Sequence, residues 1–358
     1  MNGDDPAVFY PKLDQGVASG NWLVTGAAGF IGSHLIEALL RQNQPVIGFD
    51  NLTNGCRANL LEVKENVGPD KWKNFRFVKG DLRNRRTCND ITRNVDYILH
   101  QAAIGSVPRS ITDPVLYHHC NVTGFLNLLL AARDNHVKRF VYASSSSVYG
   151  DHEALPKRED RLGQCLSPYA ATKLLNEHYA QVFERCYGVH SIGLRYFNIF
   201  GPRQNPDGAY AAVIPAWINA MLVGRPVFIN GDGESSRGFC FVANAVQANL
   251  LAATTQNAAA INSIYNISAH GRTTLNSLFL ALRTAVRQHR PEIADYLPRY
   301  REFRAGDVRH SEADIFKAQT HLDYRPSHTL EQGLVSTVDW YVRRLRLAGQ
   351  NPPGARPR

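Results

Sequence analysis

The chain has six cysteines, Cys56, Cys88, Cys120, Cys165, Cys186 and Cys240, and none of them forms a C-x-x-C pair. Scattered thiols of this kind fit neither a zinc site nor a disulfide framework, so reduced and mostly buried cysteines are expected, and no metal. Nor is there an apolar run near the roughly 20 residues needed to cross a bilayer. The opening MNGDDPAVFYPKLDQGVASG lacks a basic segment with an apolar stretch behind it, so the expectation is a cytosolic protein that does not engage the membrane. Repeats with a period of 20–50 residues are missing, which excludes a solenoid. Acids are in the minority: 31 Asp+Glu face 40 Lys+Arg, for a formal charge of +9. Much of that excess is terminal, since Arg343, Arg344, Arg346, Arg356 and Arg358 follow Trp340 with no acid among them. The basic residues show no aromatic interleaving and no nucleic-acid reader motif, so a modest positive excess points to an anionic small molecule instead. What is present is 358 residues, 44% of them hydrophobic. That length allows one large or two intimate domains and burial of about 75% of the unfolded surface.

From residue 21 to about 195, short β-rich apolar runs alternate with helical periodicity. Trp22–Thr25, Pro45–Phe49, Phe75–Val78, Tyr97–His100, Phe140–Ser144 and Ser191–Arg195 read as strands, with helices near 30–42, 83–93, 115–135 and 168–187. Continuous apolar strands separated by helices predict an α/β fold, a Rossmann-type doubly wound parallel sheet. Beyond Gly201, Pro and Gly punctuate the chain closely, and helices are expected near 243–255, 274–289, 311–320 and 329–347. The expected division is an N-terminal extension (1–20), a dinucleotide-binding domain (21–200), a smaller C-terminal α/β substrate domain (201–347) from which some segments return to the first, and a basic tail (348–358).

The first strand runs straight into Gly26-Ala-Ala-Gly29-Phe30-Ile31-Gly32 and then a helical pattern. Glycines at such a turn let backbone N–H groups approach a pyrophosphate at the positive end of a helix. The second strand ends at Asp50, 18 residues beyond Gly32, where a carboxylate can accept hydrogen bonds from both hydroxyls of an adenosine ribose. It would repel a 2′-phosphate, which favours NAD over NADP, and Arg57 nearby reads as a solvated surface residue. Asn51, the pair Asp81 and Leu82 after the third strand, and Gln101, Ala102 and Ala103 after the fourth stand at carboxyl ends, where open α/β sheets bind ligands. His100 reads as a structural strand-end histidine bonded to backbone, rather than as a base.

Two segments carry the chemistry. The fifth strand ends in Ser144-Ser145-Ser146-Ser147-Val148-Tyr149-Gly150, and Tyr169 and Lys173 follow on the first turns of a helix, at i and i+4 on one face. A phenol near pKa 10 needs a shift of roughly 3 units, about 4 kcal/mol, to act as a base near pH 7. A lysine cation beside it, with the positive nicotinamide of oxidised NAD, would supply that stabilisation, and a serine hydroxyl would relay or orient the substrate proton.

Gly26/Gly29/Gly32, Asp50, Ser145 and Tyr169/Lys173, taken together over residues 21 to about 345, resemble the extended short-chain dehydrogenase/reductase superfamily. The segments HQAAIGSVPRS (100–110), GAYAAVIP (208–215), INGDGESSR (229–237) and YREFRAGDVRHS (300–311) are similar to bacterial UDP-N-acetylhexosamine 4-epimerases of surface-polysaccharide pathways. The resemblance implies that Ser145 is the catalytic serine with Ser146 and Ser147 beside it, Tyr169 the base, and Lys173 the holder of the nicotinamide ribose. It implies that Asn198 contacts the diphosphate region, Ala212 and Val213 line the sugar-nucleotide channel, Arg237 and Arg304 hold the diphosphate oxygens, and Asp307 reaches the uridine ribose. Two guanidiniums suit a pyrophosphate, since each presents a planar fork to the oxygens. Gly105 and Ser106 would lie beside the sugar and Ser311 would gate an N-acetyl group.

The implied reaction is a transient oxidation at C4 of the sugar with NAD regenerated in place. A 4,6-dehydratase needs an acidic pair where this chain has Ser145-Ser146-Ser147, and a decarboxylase a glutamate just before Val148-Tyr149-Gly150; both acids are missing. Small residues at 105, 106 and 311 favour UDP-GlcNAc/UDP-GalNAc over plain hexoses, with the uronic-acid forms as the alternative should Arg109 or Arg309 meet a C6 carboxylate. A non-catalytic NAD-binding scaffold is the reading of another class. Two departures stand out: Gly238 and Ala243 occupy positions where the resemblance leads one to expect acids at a domain junction. The helices at 115–135 and 168–187 resemble those through which such enzymes form homodimers, with Leu126, Leu129 and Leu130 compatible with that face.

Overall fold

The computed structural model describes Tyr10 and residues 16–207, 211–303, 308–347 and 349. Its first half builds β1 (Trp22–Thr25), α1 (Phe30–Arg41), β2 (Val46–Asp50), α2 (Arg57–Trp72), β3 (Phe75–Lys79), α3 (Arg85–Ile91), β4 (Tyr97–His100), α4 (Val107–Thr112), α5 (Pro114–Tyr117), α6 (Gly124–Asp134), β5 (Arg139–Ser145), α7 (Pro168–Tyr187) and β6 (Ser191–Tyr196). The second adds β7 (Ile199–Phe200), α8 (Val213–Leu222), β8 (Phe228–Asn230), β9 (Ser236–Arg237), β10 (Cys240–Phe241), α9 (Val242–Thr254), β11 (Ser263–Ile267), β12 (Thr273–Thr274), α10 (Leu275–Arg287), β13 (Arg299–Arg301), β14 (His310–Ser311), α11 (Phe316–Leu322) and α12 (Leu330–Leu347).

One seven-stranded sheet runs in the order β11-β6-β5-β4-β1-β2-β3, with every pair parallel. Strand order reverses between β1 and β4, so the loops there open a crevice at the carboxyl ends. This is the doubly wound α/β fold expected, with a smaller α/β part in the second half. Both faces are covered: Trp22 and Val24 pack into one core with Leu35 and Leu39 of α1 and Leu250 of α9, while Leu23, one residue between them, enters the other with Phe125, Leu128 and Phe183. A third core joins Trp217 and Ile218 of α8, Leu278 and Leu282 of α10 and Val338 of α12.

Helix α7, which carries much of the site, has strong local signals. Ser167 Oγ accepts the Ala170 N–H at 3.1 Å, Pro168 takes the first turn, and Gly188 ends the helix at φ +68°.

Several expectations are corrected. Helix α2 went unread because its apolar residues form no stripe and Gly68, at φ +77°, breaks it before Pro69; only Asn59, Leu60 and Val63 are buried. Helix α8 is apolar nearly all round, so periodicity could not show it, and its Pro215 sits harmlessly in the first turn. Strand β11 also went unread; it pairs with β6, and α9 packs on the same sheet. The single helix expected at 115–135 is divided by a π-helical turn at His118–Thr123. The helix expected at 311–320 starts only at Phe316, since Ser311 belongs to β14. The cysteines are free but not mostly buried: Cys88 and Cys240 are buried, Cys120 and Cys165 intermediate, Cys56 and Cys186 exposed.

Candidate active site

A cavity of about 630 Å³ opens at the carboxyl ends of β1, β2, β4 and β5 and extends to β6. Its floor is the glycine turn. Gly26 has φ +68°, and a Cβ there would stand 2.8 Å from the Ala102 nitrogen. At Gly32 the crowding is greater, since a Cβ would fall 2.0 Å from the Gly26 carbonyl oxygen. The backbone can therefore fold this tightly, with Gly29 N–H donating to Gly26 O at 3.0 Å, only because both side chains are absent.

Asp50 at the end of β2 uses one carboxylate oxygen for Ala28 N–H at 3.0 Å and the other for Leu52 N–H at 2.7 Å. Burial raises its pKa and those two hydrogen bonds oppose the rise. Each oxygen keeps acceptor capacity toward the cavity. Asn51 donates to Asp81 at 3.1 Å, and Asp81 is held to about pKa 2, chiefly by its hydrogen bonds with Arg83. Gln101 belongs to a closed ring of hydrogen bonds: Tyr196 OH donates to Gln101 Oε1 at 3.0 Å, Gln101 Nε2 to Asn249 Oδ1 at 2.9 Å, and Asn249 Nδ2 back to Tyr196 OH at 2.7 Å. With Leu82, Ala102 and Ala103 lining the same wall, the arrangement could hold a dinucleotide, with glycine backbone toward phosphates and Asp50 toward a ribose.

At the inner end of the cavity stand Ser145, Tyr169 and Lys173. Burial pushes the Tyr169 phenol above its ordinary value, and the nearby Ser145 hydroxyl opposes the rise. The Lys173 ammonium lies 6.0 Å from the Tyr169 ring centroid and donates to Ala143 O at 2.8 Å. Burial lowers Lys173 to about 8 while Glu177 opposes the fall. Without the positive nicotinamide that the expected depression of the tyrosine also relies on, desolvation is the larger effect at Tyr169. Ser145 Oγ also lies 3.1 Å from both Ser147 Oγ and the Ser147 nitrogen. Tyr117 packs edge-on to Tyr169, with centroids 6.3 Å apart, and its hydroxyl donates to Gly105 O and to Ser106 O. It thereby clamps a loop on which Ser106 takes φ +89°, a costly conformation for a residue with a Cβ. His100 is structural, but bonded to a side chain: Nδ1 lies 2.8 Å from Thr25 Oγ1, and burial lowers the ring to about 3. Arg57 is exposed.

The cavity lining unites Gly26, Gly29, Phe30, Ile31, Gly32, Asp50, Asn51, Asp81, Leu82, Gln101, Ala102, Ala103, Gly105, Ser145, Tyr169, Lys173 and Asn198. Ser106, Ser146, Ser147, Ala212, Val213, Arg237 and Ser311 lie outside that lining. Ser106 caps α4, and Ala212 and Val213 begin α8. Arg237 and Ser311 are register partners on β9 and β14, where Arg237 donates to Ser236 O and Arg309 O, both at 3.0 Å. Arg304 and Asp307 lie outside the described residues. Gly238 donates its N–H to Ser311 O and accepts Asn198 Nδ2 at 2.9 Å, so this junction is held by backbone. Asn244, next to Ala243, holds Ser327 and His328 by hydrogen bonds. Sequence reasoning missed Tyr196, Asn54 and Gln204 on the lining. Tyr196 was findable, since it ends a strand at the ligand-binding edge; Gln204 enters on a loop turned by Arg203 at φ +64°, which no local motif announces.

Residues 22–268 match the NAD dependent epimerase/dehydratase family. The chain is 36% identical to the UDP-glucose 4-epimerase of Mycolicibacterium smegmatis over 321 residues, 89% of this chain and 97% of that one. It is 31% identical to the UDP-glucuronate 4-epimerase of Thermodesulfobacterium geofontis, over 92% of this chain and 98% of the relative. Among solved structures it is similar to the UDP-N-acetylglucosamine 4-epimerase of Methanobrevibacter ruminantium M1 in complex with UDP-N-acetylmuramic acid. There the TM-score is 0.83 at 35% identity, covering 91% of this chain and 99% of that one.

Proposed function

Because the chain belongs to the NAD-dependent epimerase/dehydratase family, we propose that it interconverts the C4 epimers of a UDP-N-acetylhexosamine, UDP-GlcNAc and UDP-GalNAc, in the supply of surface polysaccharide. The observation that carries this reading is the meeting of Ser145, Tyr169 and Lys173 at the inner end of a glycine-floored cavity. Gly26, Gly29, Gly32, Asp50 and Gln101 hold NAD, which when bound supplies the acceptor for the C4 hydride and the donor that returns it. Tyr169 takes the proton of the C4 hydroxyl and later gives it back to the 4-keto sugar after that sugar has turned over in the pocket. Ser145, beside Tyr169 on the cavity lining, orients the hydroxyl, and the Lys173 cation with the positive nicotinamide favours the phenolate. Asn198, Arg237, Arg304 and Asp307 serve the uridine diphosphate, and Gly105, Ser106 and Ser311 leave room for the acetamido group.

NMR of the anomeric protons tests this directly. Purified protein should convert UDP-GlcNAc and UDP-GalNAc toward the same mixture from either side. Conversion of the uronic-acid forms alone would transfer the reading to them, and NAD bound with no conversion of any sugar would leave a scaffold. Tyr169→Phe should reduce turnover at least about a hundredfold with NAD retained; near-normal activity removes Tyr169 as the base.

We also read the enzyme as a cytoplasmic homodimer. Val182 and Tyr187 on α7 and Val115 on α5 are exposed apolar residues on the helices concerned. Among the described residues no helix is long and apolar enough to cross a membrane. Light scattering of the full chain at about 80 kDa, twice the 39.9 kDa of one chain, is the expected result for the dimer.

A further inference from the structure

Behind the cavity lies a buried ion pair that the proposed chemistry does not use. Glu177 and Arg195 are each only 2% exposed, and the guanidinium meets the carboxylate with two bonds, Nε to Oε1 at 2.9 Å and Nη2 to Oε2 at 2.8 Å. Arg195 spends its remaining nitrogen on Tyr149 OH at 3.0 Å and Glu159 O at 3.1 Å, and stacks over the Tyr149 ring at 4.9 Å. Replacing such a pair by well-packed apolar groups is often neutral or stabilising, so stability alone is a weak reason for its presence.

Its position offers a better one. Tyr169, Lys173 and Glu177 succeed one another at intervals of four along α7. Glu177 Oε1 also accepts Ser144 Oγ at 2.5 Å, and the next residue is Ser145, which lines the cavity together with Tyr169. Lys173 in turn grips Ala143 O. The end of β5 is thus held at 143 and 144 by two charged groups of one helix.

We propose that Glu177 is a positioning residue of the reaction, fixing Ser144 at the end of β5 and so the placement of Ser145 against Tyr169. This rests on the reading of Tyr169 and Lys173 given above. The groups that face the pair can be named element by element. From α7 come Tyr169 and Glu177 itself, and from β5 Tyr142, whose phenol Glu177 pushes up together with burial. From β4 comes His100, kept neutral by burial and by Lys173. Arg195 comes from β6, Tyr149 from the turn after β5, Glu159 and Cys165 from the segment before α7, and Lys317 from α11. Of these, only Glu177 is an anion acting on Lys173, and it raises the lysine against the burial that lowers it.

Glu177→Gln alone strands Arg195 without a counter-charge and threatens folding, so the principal variant is Glu177→Gln with Arg195→Met, which removes both charges. Turnover and NAD retention are measured for each variant. The double variant should retain NAD and lose roughly tenfold in turnover at pH 7. Glu177→Asp should return turnover most of the way. Normal turnover in the double variant overturns the proposal, and so does a loss that Glu177→Asp, which keeps the carboxylate, shares in full. If Tyr169→Phe proves active, the reading beneath this one has failed; if that variant is dead and the double variant normal, only the role of Glu177 has.

Discussion

The two halves of the molecule place their functional residues by different means. In the first, six of the seven parallel strands end at one edge, and the residues that follow β1, β2, β3, β4 and β5 converge on a single cavity. In the second, the candidate residues ride on ladders of two or three residues, such as β9 between β12 and β14, and Arg237 and Ser311 meet each other without reaching that cavity. A long ladder fixes direction over many hydrogen bonds, whereas a short one leaves position to side-chain packing. The cofactor side is therefore built by the sheet itself, and the sugar-nucleotide side by small pieces hung on it.

The largest way to break this contrast is Gly32→Ala. Its Cβ would meet a backbone carbonyl that cannot swing away, so the floor must open. NAD affinity should fall at least about a hundredfold, roughly 2.7 kcal/mol, while the second half keeps its fold; calorimetric titration with NAD measures it, and unchanged affinity would show the floor to be more plastic than drawn.

Acid probes both halves at once. His100 lies within the first, and His34 of α1 reaches the second through Pro202 O at 2.9 Å. Burial leads in lowering each to about 3, well below the ordinary 6.5. Between those values the unfolded chain binds protons that the folded one refuses, so stability is whole above about pH 6.5 and declines as pH falls toward 3, by up to about 1.4 kcal/mol per pH unit for each histidine. Thermal melts from pH 7 to 5 should show the decline, and His100→Gln should remove about half of these two residues' share of it.

The smallest effect belongs to Ser268, just beyond β11. Its Oγ is buried with no hydrogen-bond partner among the described residues, 3.0 Å from where a Cβ on Gly238 would stand. Ser268→Ala should leave stability unchanged or raise it by up to about 1 kcal/mol. A loss beyond about 1 kcal/mol in urea denaturation would mean that the hydroxyl is satisfied in solution and that this junction is tighter than its backbone bonds indicate.

Local rules made the first half legible. The glycine turn, Asp50, the serine run and the Tyr169/Lys173 spacing are each statements about neighbours in sequence, and a parallel sheet brings strand ends together whatever the loops do. The missed elements failed for equally local reasons: α2 has no apolar stripe, α8 has apolar residues on every side, and β11 breaks its apolar run with Asn266. Arg237 and Ser311 could be named but not located, because nothing within either segment specifies that β9 and β14 pair in register.

By itself the sequence determined the order of strands and helices, the turn that only glycine permits, and the helical face shared by Tyr169 and Lys173, since each depends on backbone geometry across a few residues. Tertiary structure alone decided the electrostatics. Burial sets the direction of Tyr169, Lys173 and His100, and the carboxylate that opposes it at Lys173 is answered by an arginine on a different strand. The ring through Gln101, Tyr196 and Asn249 likewise joins residues as much as 148 positions apart. Desolvation and long-range hydrogen bonds depend on what surrounds a group in space, and that is known only once the chain has closed around it.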